Sequence, residues 1–494
     1  MKLINFLLAV TVSVTMLSSC KRDFLEARPT DQVDSTLVLK SIENATAALN
    51  GIHRSMFMRY NNQGEFGFGT VMLNNEALGE DYVMTGQSNG WWISFYRWID
   101  HRNANSGNAE FPWRFFYRVI VNANKLIHGV DGITSNVNIT PDKNSVKGQA
   151  LAYRAWAYFN LVQLYGKRFD ASTANTNLGV PLVLTVSTEP HPRATVAEVY
   201  NQINKDLDDA EIILANAKSR STDKSQINLS VVRGLQARVA LTQQDWVRAA
   251  AKALAARTGF GLMSANQHLE GYNNYDNPEW MWGSRQVDDQ TEHFTAYFAY
   301  ISYNYNSTNI RTNPKRINNV LYNTMATNDV RRPLWVPSPT VNNSVTPPGG
   351  SRSTHMNQKF KAKDFANSTG DMPYMRVAEM FLIEAEALAR NGQEGPSKTV
   401  FTTFMQNRVP GYVTSTATGQ AYINEIMNSR RVELWGEGFR FLDLKRLDLP
   451  LNRNGANHNQ ALAVVMNVAA GSNDWQYVIP QTEINANKLI VQNP

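Results

Sequence analysis

The chain has 494 residues, of which 43% are hydrophobic and 18% are charged. This composition supports a large buried core and excludes an intrinsically disordered chain. The formal net charge of +6 is spread along the sequence, and basic residues cluster no more densely than in pairs such as Arg331-Arg332 and Arg430-Arg431. Because nucleic-acid binding requires a dense basic patch, we expect no nucleic-acid partner.

The N-terminus has the pattern of a bacterial lipoprotein leader. A basic residue precedes an apolar run over 3–16, which is too short to cross a bilayer, and small residues follow up to Cys20, the only cysteine. We therefore predict that residues 1–19 are removed, that Cys20 is lipidated, and that 20–35 form a polar tether. The alternative is an ordinary secretory leader with an incidental cysteine.

Several segments have the 3.6-residue apolar periodicity of helices that pack on a core. They cover 145–165, 194–215, 230–256, 374–391 and 420–437. Thr195 to Glu198 matches an N-terminal capping box, and the segment 230–256 contains a short polar turn like those of tetratricopeptide-type repeats. We predict a mainly α fold in which helix pairs stack into a tetratricopeptide-like scaffold.

Two long segments, 60–113 and 257–372, have no helical periodicity. The second contains Pro-Ser-Pro and Pro-Pro-Gly-Gly, which favour loops and short strands. Because binding residues concentrate in loops on a rigid frame, we expect the function of the chain in these irregular segments.

Several further motifs occur in order along the chain. The first half contains Asp23-Phe24-Leu25, Pro29, Arg154-Ala155, Tyr158-Phe159, Leu164-Tyr165-Gly166, Gly179-Val180-Pro181-Leu182, Pro192-Arg193, Thr195-Val196 and Glu198-Val199-Tyr200. The second half contains Arg376-Val377-Ala378-Glu379, Ala385-Glu386-Ala387, Arg430-Arg431-Val432-Glu433-Leu434, Glu437-Gly438, Arg440, Asp443-Leu444, Arg446, Ile479-Pro480, Glu483-Ile484 and Asn487. Together these motifs resemble the SusD/RagB family of nutrient-binding lipoproteins.

The resemblance implies four tetratricopeptide-like helix pairs with a loop-rich ligand-binding subregion. On this basis we expect an N-terminal helical part over 36–256, a binding subregion over 257–372 and a C-terminal helical part over 373–494. The resemblance also implies an outer-membrane, surface-exposed location and a partner, a TonB-dependent transporter of the SusC type. Family members mostly bind oligosaccharides, and some bind peptides.

A cluster of aromatic residues in the first irregular segment is the leading candidate for ligand binding. It comprises Trp91, Trp92, Tyr96 and Trp98, and asparagine, aspartate and arginine follow shortly after it. Aromatic faces stack on the apolar face of a sugar, while amide and charged groups bind its hydroxyls. The resemblance adds Asn103 and Asp81 as polar partners and also points to Trp98.

Two more aromatic clusters lie in the segment 257–372. The first contains Tyr272, Tyr275, Trp280 and Trp282, and the second contains Tyr297, Tyr300, Tyr303 and Tyr305. We predict that some of these rings complete the binding site and that the others pack beneath long loops.

Arginines and carboxylates recur at helical spacing over 430–446, so they can interleave as hydrogen-bonded bidentate ion pairs. We interpret them as a structural ion network. The pattern G-x-S-x-G over 86–90 resembles a hydrolase elbow, but a tryptophan-rich segment follows it where a helix is required. Asp288, Asp289 and Glu292 are acidic neighbours typical of a solvated loop.

No metal-ligand spacing or phosphate loop is present in the sequence, so we expect no cofactor. We predict a non-enzymatic lipoprotein that binds an oligosaccharide and delivers it to the transporter. Two alternatives remain open at this point. In the first alternative, the helical repeats bind peptide or assemble a complex. In the second, the chain is an anchored hydrolase that uses Ser88 or the carboxylates of Asp288, Asp289 and Glu292.

Overall fold

The computed structural model of the chain describes residues 39–494 except 135–141, 219–221, 291, 293, 337–346 and 348. The predicted leader, Cys20 and the tether over 20–35 lie outside the described residues. Within the described part of the chain, no helix is both long and apolar enough to cross a membrane.

The described residues contain eighteen α-helices. In chain order they are α1 (Ile42–Ser55), α2 (Phe68–Leu78), α3 (Ile93–Tyr96), α4 (Gly107–Gly129), α5 (Lys143–Tyr165), α6 (Val196–Leu214), α7 (Leu229–Thr242), α8 (Trp246–Arg257), α9 (Ala265–His268), α10 (Phe298–Ile301), α11 (Thr308–Thr312), α12 (Asn319–Tyr322), α13 (Val377–Arg390), α14 (Glu394–Arg408), α15 (Gly419–Glu433), α16 (Arg440–Arg446), α17 (Gln460–Ala463) and α18 (Gln481–Ala486).

Short strands connect parts of the chain that are distant in sequence. They are β1 (Tyr82–Val83), β2 (Leu178–Pro181), β3 (Arg193–Thr195), β4 (Trp280–Ser284), β5 (Arg316–Ile317), β6 (Trp335–Val336), β7 (Met356–Asn357), β8 (Met372–Arg376), β9 (Leu451–Asn452) and β10 (Asn467–Val468). They form a four-stranded antiparallel sheet in the order β1-β5-β7-β6 and three two-stranded sheets, β2-β3, β4-β8 and β9-β10.

The long helices form a continuous stack. α4 packs on α5, α5 on α6, α6 on α7 and α7 on α8, and α8 contacts α13, which contacts α14 and α15. Alanine makes the close crossings possible, since the buried face of α8 consists of Ala249, Ala250, Ala253 and Ala256. The predicted mainly α fold of stacked helix pairs is confirmed.

Two local signals gave accurate helix boundaries. Thr195 and Glu198 form the predicted capping box at the start of α6, and Asp245 caps α8 by accepting from the Arg248 backbone N–H. The segment 230–256 is therefore two helices joined by a polar turn, as expected.

The prediction of an irregular segment over 60–113 is wrong in part. It contains α2, in which every residue except Phe68 is buried, and α4 begins within it at Gly107. A helix that is buried on all sides has no apolar stripe, so periodicity does not detect it.

The segment 374–391 also differs from its prediction. Its first residues belong to strand β8, and the helix α13 begins at Val377. On α13, Glu386 forms an ion pair with Arg390 one turn later, and it is fully buried, with Arg446 as a second partner of its carboxylate.

The sheet β1-β5-β7-β6 determines where the two irregular segments meet. Tyr82 pairs with Ile317 and Val83 pairs with Arg316. This pairing places the tryptophan-rich segment that follows β1 against residues that precede β5.

Candidate functional site

Two neighbouring tryptophans lie at the surface where these segments meet. Trp91 and Trp92 are partly exposed, and their ring centroids are 6.0 Å apart. Tyr300 is buried beneath both, with its ring centroid 5.3 Å from Trp91 and 4.5 Å from Trp92. Phe294, whose side chain is exposed, is linked to this group through its backbone carbonyl, which accepts a hydrogen bond of 2.7 Å from the Tyr300 hydroxyl. We call Trp91, Trp92 and Phe294, with Tyr300 beneath them, the aromatic platform.

The backbone of the aromatic platform is unusual. Trp92 has a φ of 60° and Phe294 a φ of 63°, and Ser88, close before the tryptophans, has a φ of 46°. Positive φ is costly for bulky side chains, and such residues cluster at binding sites where the surroundings hold them in place. The exposed rings are therefore held in position by the fold.

Buried groups fix the orientation of the platform rings. The Trp92 indole N–H donates a hydrogen bond of 2.9 Å to the side-chain oxygen of Asn74, a fully buried residue of α2. Phe66 stacks on Tyr300 with a centroid distance of 5.5 Å. Trp91 passes over Gly64, where an added Cβ would lie 3.2 Å from the indole ring. The rings are thus preorganised, which lowers the entropic cost of binding.

Hydroxyl and amide groups lie beside the platform. The Thr312 hydroxyl donates a hydrogen bond of 2.8 Å to the Ser88 hydroxyl, and this contact joins the tryptophan segment to α11. Asn89, Asn306 and Thr308 are exposed in the same two segments. This combination of apolar ring faces with uncharged donors and acceptors suits a ligand that is rich in hydroxyl groups.

Of the first predicted cluster, the structure brings Trp91 and Trp92 to the surface but buries the other two rings. The Tyr96 hydroxyl bonds to His458 at 2.6 Å, and its ring lies under the guanidinium group of Arg453. The Trp98 indole donates to the Leu78 carbonyl at 3.1 Å. The assignment of Tyr96 and Trp98 to ligand contact is therefore corrected, since both are core residues.

The two polar partners that the resemblance suggested also have other roles. Asp81 is buried, and both of its carboxylate oxygens accept hydrogen bonds from Arg431, at 2.6 and 3.0 Å. Burial opposes ionisation of Asp81, but the guanidinium groups of Arg431 and Arg440 outweigh it and hold its pKa below the ordinary value. Asn103 is exposed, and its side chain accepts from the Asn105 backbone in a local turn.

The predicted cluster around β4 lies in the core. Trp280 and Trp282 are fully buried, and Tyr272 is covered by the charged groups of Lys359 and Arg376. The Tyr275 hydroxyl donates to Asp223 at 2.7 Å. None of these four rings offers a face to solvent, so their assignment to the binding site is corrected.

In the tyrosine cluster, Tyr297 and Tyr305 are buried, Tyr300 supports the platform and Tyr303 is partly exposed. Phe294, which packs on Tyr305 at a centroid distance of 5.7 Å, was missed by the sequence analysis. A single phenylalanine in an irregular segment has no distinctive signal, and its link to the tryptophans runs through long-range contacts of Tyr300.

The interpretation of 430–446 as an ion network is confirmed. Arg430 and Arg446 share Asp443 at 2.8 and 2.7 Å, and Arg440 binds Glu80 at 2.5 Å. These side chains are buried or nearly so. The contacts of Asp443 join α15 to α16, and the Arg440–Glu80 contact joins α16 to the segment that follows α2.

The side chains considered for catalysis, Ser88 and the carboxylates over 288–292, contact hydroxyl, amide or arginine groups or are exposed to solvent. The Ser88 hydroxyl contacts Thr312 and Asn89, and Glu292 forms an exposed ion pair with Arg59. Asp288 and Asp289 are exposed in a short 3₁₀ turn.

Two family models match the chain. One, described as "Starch-binding associating with outer membrane", matches residues 23–241, and the other, described as "SusD family", matches residues 210–494, more than half of the sequence. The chain belongs to the SusD/RagB family. This confirms the resemblance drawn from the sequence motifs.

Named relatives are distant in sequence, and a solved SusD-like structure has a similar fold. A SusD-like protein of Bacteroides ovatus is 22% identical over 295 residues, which cover 55% of this chain and 48%, about half, of the relative. SusD-like protein P38 of Formosa agariphila is 22% identical over 490 residues, covering 90% of this chain and 91% of the relative. The solved structure of a SusD-like carbohydrate binding protein from Bacteroides vulgatus has a TM-score of 0.78 at 24% identity, covering 91% of this chain and 97% of that one.

Proposed function

We propose that this SusD/RagB protein binds an oligosaccharide on the aromatic platform. The observation that carries the proposal is the pair of partly exposed indoles, Trp91 and Trp92, beside exposed amide and hydroxyl groups. Trp92 is held at positive φ and by a buried hydrogen bond to Asn74. Ring faces would stack on the apolar side of a sugar, and the rim of Asn89, Asn306 and Thr308 would bind its hydroxyls.

The family supports a carbohydrate ligand and an outer-membrane location. The model that matches the N-terminal half is described as starch-binding and associated with the outer membrane, and the relative of known structure from B. vulgatus is named as carbohydrate binding. In our proposal, Cys20 carries the lipid anchor and holds the folded body at the cell surface.

The proposal includes delivery of the bound glycan to a TonB-dependent transporter of the SusC type. No bond is made or broken in this role, so we propose that the chain is not an enzyme. Binding would raise the concentration of substrate at the transporter, as linked binding events do in general.

The test of the ligand class is calorimetric titration of the protein from residue 21 onward with a panel of polysaccharides, oligosaccharides and oligopeptides. Saturable binding of a glycan, with quenching of tryptophan fluorescence, is the expected result. Binding of peptides alone would contradict the proposal and support the peptide-binding alternative. Turnover of a glycan that is lost in Ser88→Ala would instead support a hydrolase.

The test of the partner is purification of the tagged full-length chain from native outer membranes in mild detergent. We expect a TonB-dependent transporter to copurify in stoichiometric amount. Recovery of the chain alone, under conditions that keep other outer-membrane complexes intact, would contradict delivery while leaving glycan binding in place.

A further inference from the structure

A cavity of about 60 Å³ lies between the N-terminal and C-terminal parts of the helical stack. Its walls come from α2, α5, α7, β8, α15 and α16, and its aromatic lining includes Phe68, Trp156 and Phe439. Phe439 and Leu442 are partly exposed, so the cavity reaches the surface. Since one water needs about 10–15 Å³ of such space, the cavity holds a few waters or one small solute.

Three buried polar atoms of residues that line the cavity lack hydrogen-bond partners among the described residues. They are Nη1 of Arg430, whose side chain is 4% exposed, the side-chain oxygen of Asn75, a residue that is 3% exposed, and the hydroxyl group of Tyr374, which is also 4% exposed. The orientation of the Asn75 amide is determined by its N–H, which donates to the Gly438 carbonyl at 3.2 Å. An unpaired donor of Arg430 and an unpaired acceptor of Asn75 are therefore found on residues that line this cavity from opposite elements, α15 and α2. Unpaired buried polar groups are costly, which favours an occupant that pairs both.

The charge at Arg430 favours an anion. Arg430 shares Asp443 with Arg446, which in turn shares Glu386 with Arg390. This hydrogen-bonded series contains three guanidinium groups and two carboxylates, so one positive charge is not matched within it. Phe439 lies between two guanidinium groups, those of Arg430 and Arg238, each 5.2 Å from the ring centroid.

We propose that this cavity binds a small oxyanion that carries a hydroxyl group, such as a short hydroxycarboxylate or hydrogenphosphate. The anionic oxygen accepts from Nη1 of Arg430, and the hydroxyl group donates to the side-chain oxygen of Asn75. The ligand thereby connects α2 to α15 and cross-links the two halves of the stack. The site is separate from the aromatic platform and does not depend on glycan binding.

The test is calorimetric titration of the purified protein with glycolate, phosphate, acetate and chloride at matched ionic strength. We expect glycolate or phosphate to bind about tenfold more tightly than acetate or chloride, because only these pair both polar atoms. Tighter binding of glycolate identifies a hydroxycarboxylate, and tighter binding of phosphate identifies hydrogenphosphate. Equal binding of all four anions, or no binding, overturns the proposal.

The decisive variant is Arg430→Lys, which keeps a positive charge near Asp443 but removes Nη1. It should weaken glycolate or phosphate binding about tenfold, whereas the control Arg233→Lys, at a surface ion pair with Glu211, should leave binding unchanged. Unchanged affinity in folded Arg430→Lys overturns the proposal.

Two further measurements do not require that variant to fold. Asn75→Leu should reduce the affinity for glycolate but not for acetate, and Trp91→Ala should leave the affinity for both anions unchanged. In a crystal of the wild-type protein grown with glycolate, electron density for the anion beside Arg430 supports the site. Ordered water alone in the cavity overturns it.

Discussion

Asp81 distinguishes a structural from a ligand-binding role more sharply than any other residue of the predicted site. The resemblance to the family suggests that it contacts a sugar, whereas the structure pairs it with Arg431 and Arg440 in a buried ion network. Asp81→Asn keeps the shape of the side chain and removes its charge. The variant therefore tests the ion pairs without creating a cavity.

The size of the effect follows from what remains in the variant. Removing one partner of a buried ion pair typically costs about 3–5 kcal/mol, because the other charge is left uncompensated. Glu80 still binds Arg440 at 2.5 Å and lies 3.6 Å from Arg431. We therefore expect the lower end, a loss of about 3 kcal/mol in the free energy of unfolding.

Denaturant unfolding followed by circular dichroism measures this loss. The matched control is Asp209→Asn, which removes an exposed ion pair with Lys205 on α6 and should cost about 0.5 kcal/mol or less. Glycan affinity of the folded Asp81→Asn protein should equal that of the wild type. A variant with wild-type stability and weakened glycan binding would refute our reasoning and restore Asp81 to the binding site.

Three further predictions concern the core and the support of the platform. Trp282→Ala should cost about 3–5 kcal/mol in unfolding free energy, because the ring is fully buried, and calorimetry should show unchanged glycan affinity in the folded fraction. Asn74→Leu should weaken glycan binding several-fold in the same titration, because the Trp92 indole loses its hydrogen-bond acceptor, and unchanged affinity would contradict the positioning role. Burial lowers the pKa of His458 in the folded protein to about 4. In the unfolded chain the imidazole takes up a proton near its ordinary pKa of about 6.5, so the free energy of unfolding should decrease as the pH falls from about 6.5 to 4. His458→Gln should reduce the slope of this part of the stability profile measured by denaturant unfolding, and burial of His53, His101 and His268, which lowers their pKa values too, should account for the slope that remains. An unaltered slope would contradict the contribution of His458.

The helical frame could be predicted from the sequence because its signals are local. Capping residues and apolar periodicity predicted the boundaries of α5 and α6 to within two residues. The polar residues between α7 and α8 marked the turn that separates these two helices. The helix α2 could not be found in this way, since it is buried on all sides and therefore has no periodic stripe.

The binding site could be predicted only in part, because exposure is not a local property. Trp91 and Trp98 are the same residue type in the same short segment, yet the first is partly exposed and the second donates its indole N–H to the Leu78 carbonyl in the core. The difference arises from long-range packing around α2 and the C-terminal part of the chain. Phe294 is linked to the tryptophans through Tyr300, which contacts residues far from it in the sequence.

The most direct test of glycan binding on the aromatic platform is the affinity of Trp91→Ala for the glycan that the panel identifies. A sugar that covers about 60–80 Å² of the indole face contributes about 1.5–2 kcal/mol at about 25 cal/mol per Å², so the dissociation constant should rise about 10- to 30-fold. Trp246→Ala, which removes a partly exposed tryptophan from α8, should bind like the wild type. Equal affinity of both folded variants and the wild type would contradict the proposed platform.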